Sequence, residues 1–185
     1  MKISKNTLSN ILHYHLSESP LLQHFTLDYL TPLFINQAIK ESNLFIYSSR
    51  YEPKINDASL GIYQLLTKTI TGLGFNGNVA DIFNTEIQVK YAVKYINELF
   101  NSFPEIHNKI ERLKIAFASY NCGKGNMNKA IRYGLEEENI HYDCENTQQG
   151  KWSTYNKLND IMSRYRILNS KNATINKRYI NYIFN

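Results

Sequence analysis

The sequence predicts a mainly α-helical fold with little or no β-structure. Apolar residues recur at spacings of three and four along most of the chain, the period of a helix with one buried face. The alternation of apolar and polar residues that is typical of strands is weak throughout. The 185 residues, 43% of them hydrophobic, suffice for one buried core, and no repeat or low-complexity linker divides them. We therefore predict one compact helical domain.

The first half of the chain predicts three main helices. Residues 1–32 are expected to hold one or two shorter helices, interrupted at Pro20 and Pro32. The main helices are predicted at residues 33–45, 60–71 and 86–100, where apolar side chains share one face.

The second half predicts further helices separated by turns. Pro104 is expected to open a helix that runs to about Gly123, because a proline costs little at the first helical position. A Glu- and Gln-rich stretch at residues 135–151 indicates a loop. Shorter helices are predicted at residues 126–133, 154–168 and 174–184. Two loops rich in Gly and small polar residues, 48–59 and 121–126, are candidates to carry functional residues.

Glu41 is the strongest candidate for a catalytic residue. It lies near the end of a predicted helix, with Ile39 before it and Leu44 and Phe45 after it. Apolar surroundings disfavour the charged form of a carboxyl group, which raises its pKa and allows it to donate a proton near neutral pH. Protonation of a glycosidic oxygen requires such a group. By spacing alone, a solvated glutamate on a helix surface remains the commoner interpretation.

Five motifs in order along the chain resemble a known enzyme family. They are Glu41-Ser42, ASLGIYQ at residues 58–64, QVKYAVKYI at 88–96, ASYNCGKG at 118–125 and KRYI at 177–180. The order is similar to that of the soluble lytic transglycosylase (SLT) family, glycoside hydrolase family 23 of the lysozyme-like superfamily. The family's patterns are E-S, G-A-x-G-L-M-Q, N-I-x-x-G-x-K-Y-L, A-Y-N-A-G-x-G and E-T-R-x-Y-V.

The resemblance implies a lysozyme-like helical domain with a substrate cleft. It covers about residues 33–184, so we expect an SLT-like catalytic domain at 33–185 and an N-terminal helical extension at 1–32 packed on the same domain. The chain departs from the family's pattern at several positions. Ala58-Ser59 replaces Gly-Ala, Tyr63 replaces Met, Ala92 replaces Gly, and Ile175 stands near the family's late Glu.

The resemblance also implies the reaction and its residues. Glu41 would protonate the oxygen between N-acetylmuramic acid and N-acetylglucosamine. As a carboxylate it would then deprotonate the muramic C6 hydroxyl, which closes a 1,6-anhydro ring without a metal or organic cofactor. The residues expected to bind substrate or line its site are Ser42, Ser59, Gln64, Tyr120, Asn121 and Tyr179.

Several of these residues have plainer alternatives. Ser42 is expected to orient the Glu41 loop, Gln64 equally suits a tie between two loops, and a core position is an alternative for Tyr179. Asp57 and Asp81 are the nearest candidates for a second acid, although loop and helix-cap roles fit them better. Three further residues have plain interpretations or open ones. Trp152 is expected to pack in the core, and Cys122 is expected to serve as a small apolar residue. A disulfide between Cys122 and Cys144 stays open.

The net charge bears on the kind of binding partner, and targeting signals bear on the compartment. The net charge of +5 suits a polyanionic partner, such as nucleic acid, an acidic membrane surface or bacterial cell wall, and it does not identify which one. The basic residues are scattered and form no run typical of a nucleic-acid arm. The family resemblance implies peptidoglycan strands as the partner. The N-terminus lacks the apolar region of a signal peptide, and no run of 18 apolar residues predicts a membrane span. We expect a monomer that acts in the periplasm, outside the cell, or as part of a phage or secretion apparatus.

Three other functions stay open on the sequence. A hydrolytic muramidase similar to goose-type lysozyme would add water instead of closing the anhydro ring, and its products would differ by one water. A catalytically silent wall-binding protein would keep the fold without the reaction, against which the intact Glu41 argues. A helical DNA-binding protein rests on the net charge alone and would bind DNA with a steep salt dependence.

Overall fold

The computed structural model describes residues 1–138 and 154–185, and these residues are mainly helical. Helices account for 68% of them and strands for 7%, which confirms the predicted fold class. Eight α-helices and one small sheet occur in these two ranges. The chain forms two compact units, Met1–Tyr95 and Ile96–Asn185.

The first unit begins with two helices that pack against each other. Helix α1 (Lys5–Ser17) starts after Ser4, whose side chain accepts a hydrogen bond from Thr7 N. A short 3-10 turn leads to α2 (Leu27–Ser42). Buried apolar side chains line both helices: Leu8, Leu12, Leu16, Leu30, Leu33, Phe34 and Ala38.

Helix α2 starts six residues before the predicted position at Leu33. Pro32 was expected to interrupt the chain, but it lies inside the second turn of α2. Thr26 caps the helix, its hydroxyl oxygen accepting from Tyr29 N at 3.2 Å, and Asp28 in the first turn complements the helix dipole. Burial of the residues around Pro32 offsets the backbone hydrogen bond that a proline cannot make.

A small antiparallel sheet follows α2. Strand β1 (Ser49–Glu52) pairs with β2 (Asp57–Leu60), with Ser49 opposite Leu60, and β2 pairs with β3 (Leu65–Leu66). Helix α3 (Thr67–Gly72) comes directly after β3.

The predicted helix at residues 60–71 is therefore wrong in its first half. Ile62, Leu65 and Leu66 have helical spacing in the sequence, but Gly61 and Gln64 adopt positive φ angles of 75° and 49°. Those angles belong to the left-handed region and make a tight turn between β2 and β3 instead of a helix.

Helix α4 (Thr85–Asn101) matches its prediction at residues 86–100 closely. A wide apolar face predicted it, and the structure buries that face: Val89, Ala92, Val93, Ile96, Leu99 and Phe100. The division between the two compact units falls within this helix, after Tyr95.

The second unit contains four more helices, which pack on one another. They are α5 (Lys109–Cys122), α6 (Lys124–Glu138), α7 (Thr154–Arg164) and α8 (Ser170–Phe184). Pro104 does not open α5, contrary to the prediction. The helix starts at Lys109, because the Asn108 side chain accepts hydrogen bonds from Ile110 N and Glu111 N.

Three predictions about the chain's organisation have different outcomes. The loop predicted at residues 135–151 is helical up to Glu138, and its remaining residues lie outside the described ranges. The boundary between an extension at 1–32 and a catalytic domain at 33–185 stays a prediction. Within the described ranges, no helix is both long enough and apolar enough to span a membrane.

Candidate active site

Glu41 is the next-to-last residue of α2 and is half-buried. The helix ends immediately after Ser42, because Asn43 takes up the left-handed conformation with φ 53° and ψ 35°. Leu44 follows with φ 64°, so two consecutive left-handed residues turn the chain away from the helix axis. A leucine in this region is uncommon and strained, which indicates that the surrounding structure holds the segment after Glu41 in this conformation.

Ser42 fastens the end of α2 to the turn between β2 and β3. Its hydroxyl lies 2.8 Å from Ile62 O and 3.2 Å from Ala38 O. A serine hydroxyl carries one hydrogen, and both neighbours are carbonyl oxygens that can only accept it. These contacts support an orienting role for Ser42 beside Glu41 more directly than a role as a donor to substrate.

Gln64 ties the same turn to the start of the hairpin. Its Nε2 donates to Gly61 O at 2.9 Å and to Ser48 O at 3.1 Å, while Gly61 N donates to the same Ser48 carbonyl. Both amide hydrogens of Gln64 are thus used within the protein. Its side chain is half-buried, and its Oε1 makes no hydrogen bond with the part of the chain that the structure describes.

Ser59 is buried on β2, where it contributes to the hairpin. Its hydroxyl lies 3.4 Å from Glu52 Oε1, and the same oxygen forms an ion pair with Arg50 at 2.6 Å. Since Ser59 is only 4% exposed, this position offers a substrate little surface. The substrate-binding role expected for Ser59 stays a prediction.

Tyr120 and Asn121 lie in the last turn of α5 in the second unit. Tyr120 is half-buried and Asn121 is exposed. Gly123 ends the helix with φ 88°, its N–H donating to Ser119 O at 2.8 Å, and α6 begins at the next residue. The chain thus passes from α5 into α6 at a glycine that lies two residues after Asn121.

Asn121 accepts a hydrogen bond from a side chain on α8 that was not among the predicted site residues. Asn176, which is fully buried, donates from Nδ2 to Asn121 Oδ1 and to Ala118 O, both at 3.1 Å. Tyr179 lies three residues further along α8 and is 2% exposed. Its burial agrees with the core alternative for this tyrosine, and its role toward substrate stays a prediction.

Comparison with known families identifies the chain. The family model described as the transglycosylase SLT domain matches residues 33–142. The chain belongs to the SLT family. No significant match was found among curated proteins or among solved structures. Family membership associates the chain with lysozyme-like, lytic transglycosylase-type activity on cell-wall peptidoglycan.

The matched range contains most of the predicted site. It includes Glu41, Ser42, Ser59, Gln64, Tyr120 and Asn121, whereas Tyr179 lies beyond it. Asn176 also lies beyond it. The resemblance seen in the order of motifs is therefore confirmed at the level of the family.

Tyr63, which replaces the methionine of the SLT pattern, belongs to the core. Its hydroxyl donates to Phe34 O at 3.2 Å, and its ring meets the Phe34 ring edge-on with 6.5 Å between centroids. Complete burial raises the pKa of Tyr63 far above its usual value, so the phenol stays protonated and remains a donor. Together with Ser42, it attaches the β2–β3 turn to α2 at a second point.

Gln88, at the start of the SLT-like motif on α4, holds this turn from the other side. Its Oε1 accepts from Tyr63 N at 3.2 Å and its Nε2 donates to Ile82 O at 2.8 Å. The residue is fully buried, and every polar atom of its side chain has a partner. This role was not predicted from the sequence, although the family's Asn at the same place in the motif was an available signal.

Asp57 and Asp81 act as caps, in agreement with the alternative that fitted them better. Asp57 is buried and accepts from Thr67 Oγ1, Ala58 N and Lys68 N, so it caps the start of α3. Burial opposes ionisation of Asp57, but these hydrogen bonds and the Lys68 charge outweigh it and lower its pKa. Asp81 Oδ2 accepts from Asn78 N at 2.9 Å.

Of the remaining candidates, only Cys122 lies among the described residues. Cys122 is a free cysteine, and burial raises the pKa of its thiol to about 12, as expected for a small apolar residue. Cys144 and Trp152 lie outside the described residues. Residues 1–138 and 154–185 contain no cluster of three or more His, Cys, Asp or Glu side chains suited to a metal ion.

Proposed function

We propose that this SLT-family protein cleaves the β-1,4 bond between N-acetylmuramic acid and N-acetylglucosamine in peptidoglycan, with Glu41 as general acid and then general base. The observation that carries the proposal is the position of Glu41. It occupies the family's Glu-Ser motif at the end of α2, next to a turn that Ser42 and Tyr63 attach to the same helix.

In the first step, the Glu41 carboxylic acid donates its proton to the glycosidic oxygen. The bond from that oxygen to C1 of the muramic sugar breaks, and N-acetylglucosamine leaves with a free 4-hydroxyl. The carbonyl oxygen of the muramic N-acetyl group stabilises the positive charge at C1, which replaces the second carboxylate that most glycosidases use.

In the second step, the Glu41 carboxylate removes the proton of the muramic C6 hydroxyl. Oxygen O6 bonds to C1, closes the 1,6-anhydro ring and leaves Glu41 protonated for another cycle. No water is consumed. Because one group handles both protons, its carboxyl oxygens must be held in place through both steps, and the fastened end of α2 supplies that rigidity.

The environment of Asp57 supports a mechanism with a single carboxylate. A hydrolytic muramidase would need a second carboxylate to activate water, and Asp57 was the nearest candidate. Three hydrogen bonds engage its two oxygens in capping α3. We therefore favour the transglycosylase reaction over hydrolysis. We also propose that the protein acts in a compartment where it has access to cell-wall peptidoglycan.

Replacement of Glu41 by Gln tests the proposal. Glu41→Gln keeps the size of the side chain but removes its acid, so the release of soluble fragments from purified peptidoglycan is expected to fall at least ~1000-fold. Glu98→Gln is the matched control, since it removes one negative charge from an exposed position on α4. It should release fragments at the wild-type rate.

Two outcomes would contradict the proposal. If the wild type releases no fragments, the enzyme function fails and a silent wall-binding protein becomes the better account. If Glu41→Gln retains a rate similar to that of Glu98→Gln, the reaction does not depend on Glu41. Circular dichroism of both variants would confirm that the comparison is made between folded proteins.

A further inference from the structure

We propose that Asn176 is a positioning residue that sets the direction of the Asn121 side-chain amide, so that Asn121 presents an N–H donor to an N-acetylated sugar. The inference rests on the proposed function only for the identity of the ligand. Its structural part concerns Asn176 on α8 and two residues of α5, Ala118 and Asn121.

The direction of the Asn176 amide follows from its neighbour on α5. One polar atom of Asn176 lies 3.1 Å from Ala118 O, and a main-chain carbonyl oxygen can only accept a hydrogen bond. That atom must therefore be the amide nitrogen, Nδ2. The other atom, Oδ1, then faces the Tyr155 hydroxyl at 2.9 Å, which can donate to it.

The direction of the Asn121 amide follows in turn. The second hydrogen of Asn176 Nδ2 points to an atom of Asn121 at 3.1 Å, and only an oxygen can accept it. Asn121 thus directs Oδ1 toward Asn176, which leaves its Nδ2 on the other side of the amide. Asn121 is exposed, and its Nδ2 makes no hydrogen bond within residues 1–138 and 154–185.

Burial makes this arrangement hard to reverse. Asn176 is 0% exposed, so an amide turned the wrong way would set its oxygen against Ala118 O, and water could not reach these two unpaired acceptors. The hydrogen bond from Asn176 to Ala118 O therefore fixes which atom the exposed amide of Asn121 offers. The two N–H bonds of Asn121 Nδ2 are suitable donors to the carbonyl oxygen of an N-acetyl group, which both sugars of peptidoglycan carry.

Three variants of the full chain distinguish the effect of the direction of the Asn121 amide from a purely structural effect of the buried hydrogen bonds. Asn121→Asp keeps an oxygen toward Asn176 but replaces the outward donor by an acceptor. Asn176→Leu keeps the approximate volume but removes the anchor. Tyr155→Phe is the matched control, because it deletes a buried hydrogen bond of the same network while Ala118 O still determines the direction of Asn176.

The expected results combine thermal unfolding with calorimetric binding of chitotetraose, the tetramer of N-acetylglucosamine. Asn121→Asp should unfold close to the wild type yet bind ~10- to 100-fold more weakly, since two acceptors then face each other. Asn176→Leu should unfold ~4–8 °C lower and also bind more weakly. Tyr155→Phe should lose thermal stability but bind like the wild type.

Other results would overturn the inference. If Asn121→Asp unfolds as early as Asn176→Leu, an oxygen does not face Asn176 and the amide has the opposite direction. If Asn121→Asp binds chitotetraose as tightly as the wild type, the outward atom does not act as the donor. A wild type that binds chitotetraose but does not cleave peptidoglycan would defeat the proposed function alone, because the unfolding comparison still decides the direction.

Discussion

At the scale of single residues, Gly61 shows how little freedom the turn beside α2 has. Its φ of 75° is rarely adopted by residues with a side chain, and a Cβ there would lie 2.6 Å from Gln88 Nε2. Gln88 cannot move away easily, because its amide holds Tyr63 N and Ile82 O. The glycine is thus required both by its backbone conformation and by the space around it.

Gly61→Ala is therefore expected to lower the free energy of unfolding by ~2–4 kcal/mol, from backbone strain and overpacking together. Gly72→Ala is the control, because a Cβ at Gly72 would meet nothing within 4 Å and its φ is not positive. That variant should be neutral or stabilised by up to ~1 kcal/mol. Urea denaturation of both variants provides the measurement. Equal stabilities would show that the turn does not have the conformation described.

Asp57 links one residue to the pH dependence of stability. Its pKa in the folded protein is lowered from the ordinary value of 3.8, so the folded state favours the carboxylate more than the unfolded chain does. The stabilisation is therefore complete well above pH 3.8 and is lost as the pH falls below that value.

Asp57→Asn should cost ~1–3 kcal/mol at pH 7, because an amide nitrogen then faces groups that donate to the carboxylate. Melting temperatures measured from pH 7 to pH 3 should show the wild type losing its advantage at the acid end, so that the two curves approach each other. Curves that stay parallel would assign the low pKa no role in stability. Fragment release from peptidoglycan should persist in Asp57→Asn, which a hydrolase using Asp57 would not allow.

At the scale of secondary-structure elements, the contact between α2 and the β2–β3 turn supports the proposed position of Glu41. The hydroxyl of Ser42 bridges Ala38 O within the helix and Ile62 O in the turn. Ser102, at the end of α4, is half-buried and bonds to Glu98 O four residues earlier. Each serine thus bonds to the carbonyl oxygen four residues before it, and only Ser42 of these two also bonds to the β2–β3 turn.

Ser42→Ala is expected to lower kcat more than it changes KM, because the loosened end of α2 would hold Glu41 less precisely for proton transfer. Its free energy of unfolding should fall by ~1 kcal/mol. Ser102→Ala should leave both kinetic constants unchanged. If the two variants have the same kcat, the bond from Ser42 to the turn does not position Glu41.

The elements also show why parts of the fold could be predicted and others could not. Helix α4 has a continuous apolar face at helical period, and its prediction is confirmed within one residue at each end. Residues 60–66 have the same period, but the φ angles of Gly61 and Gln64 override it. Strand β1 reads Ser-Arg-Tyr-Glu, four residues without apolar alternation, so the hairpin had no strand signal.

At the scale of the whole molecule, the fold class and the family could be predicted because they depend on patterns spread over the chain. Apolar residues recur at helical spacing along the chain, and the order of motifs is recognisable despite substitutions such as Tyr63 for Met. The supports of the site could not be predicted in the same way. Gln88 and Asn176 read as ordinary polar positions on helices, and only three-dimensional contacts reveal what they hold.

The net charge of +5 also belongs to this scale. A positive protein is attracted to an anionic cell wall, and the attraction of exposed charges is screened as ionic strength rises. Scattered basic residues favour broad attraction over a defined anion site. We therefore propose that the charge promotes the approach to the wall, whereas contacts with the sugars provide specificity.

The most direct test of the central claim is mass spectrometry of the fragments that the protein releases from purified peptidoglycan. The account predicts muropeptides ending in 1,6-anhydromuramic acid, one water lighter than the hydrolysed forms, and their disappearance in Glu41→Gln. Fragments with reducing muramic ends would show that water, not the C6 hydroxyl, completes the reaction. Anhydro fragments from Glu41→Gln at the wild-type rate would show that Glu41 is not the residue that moves the protons.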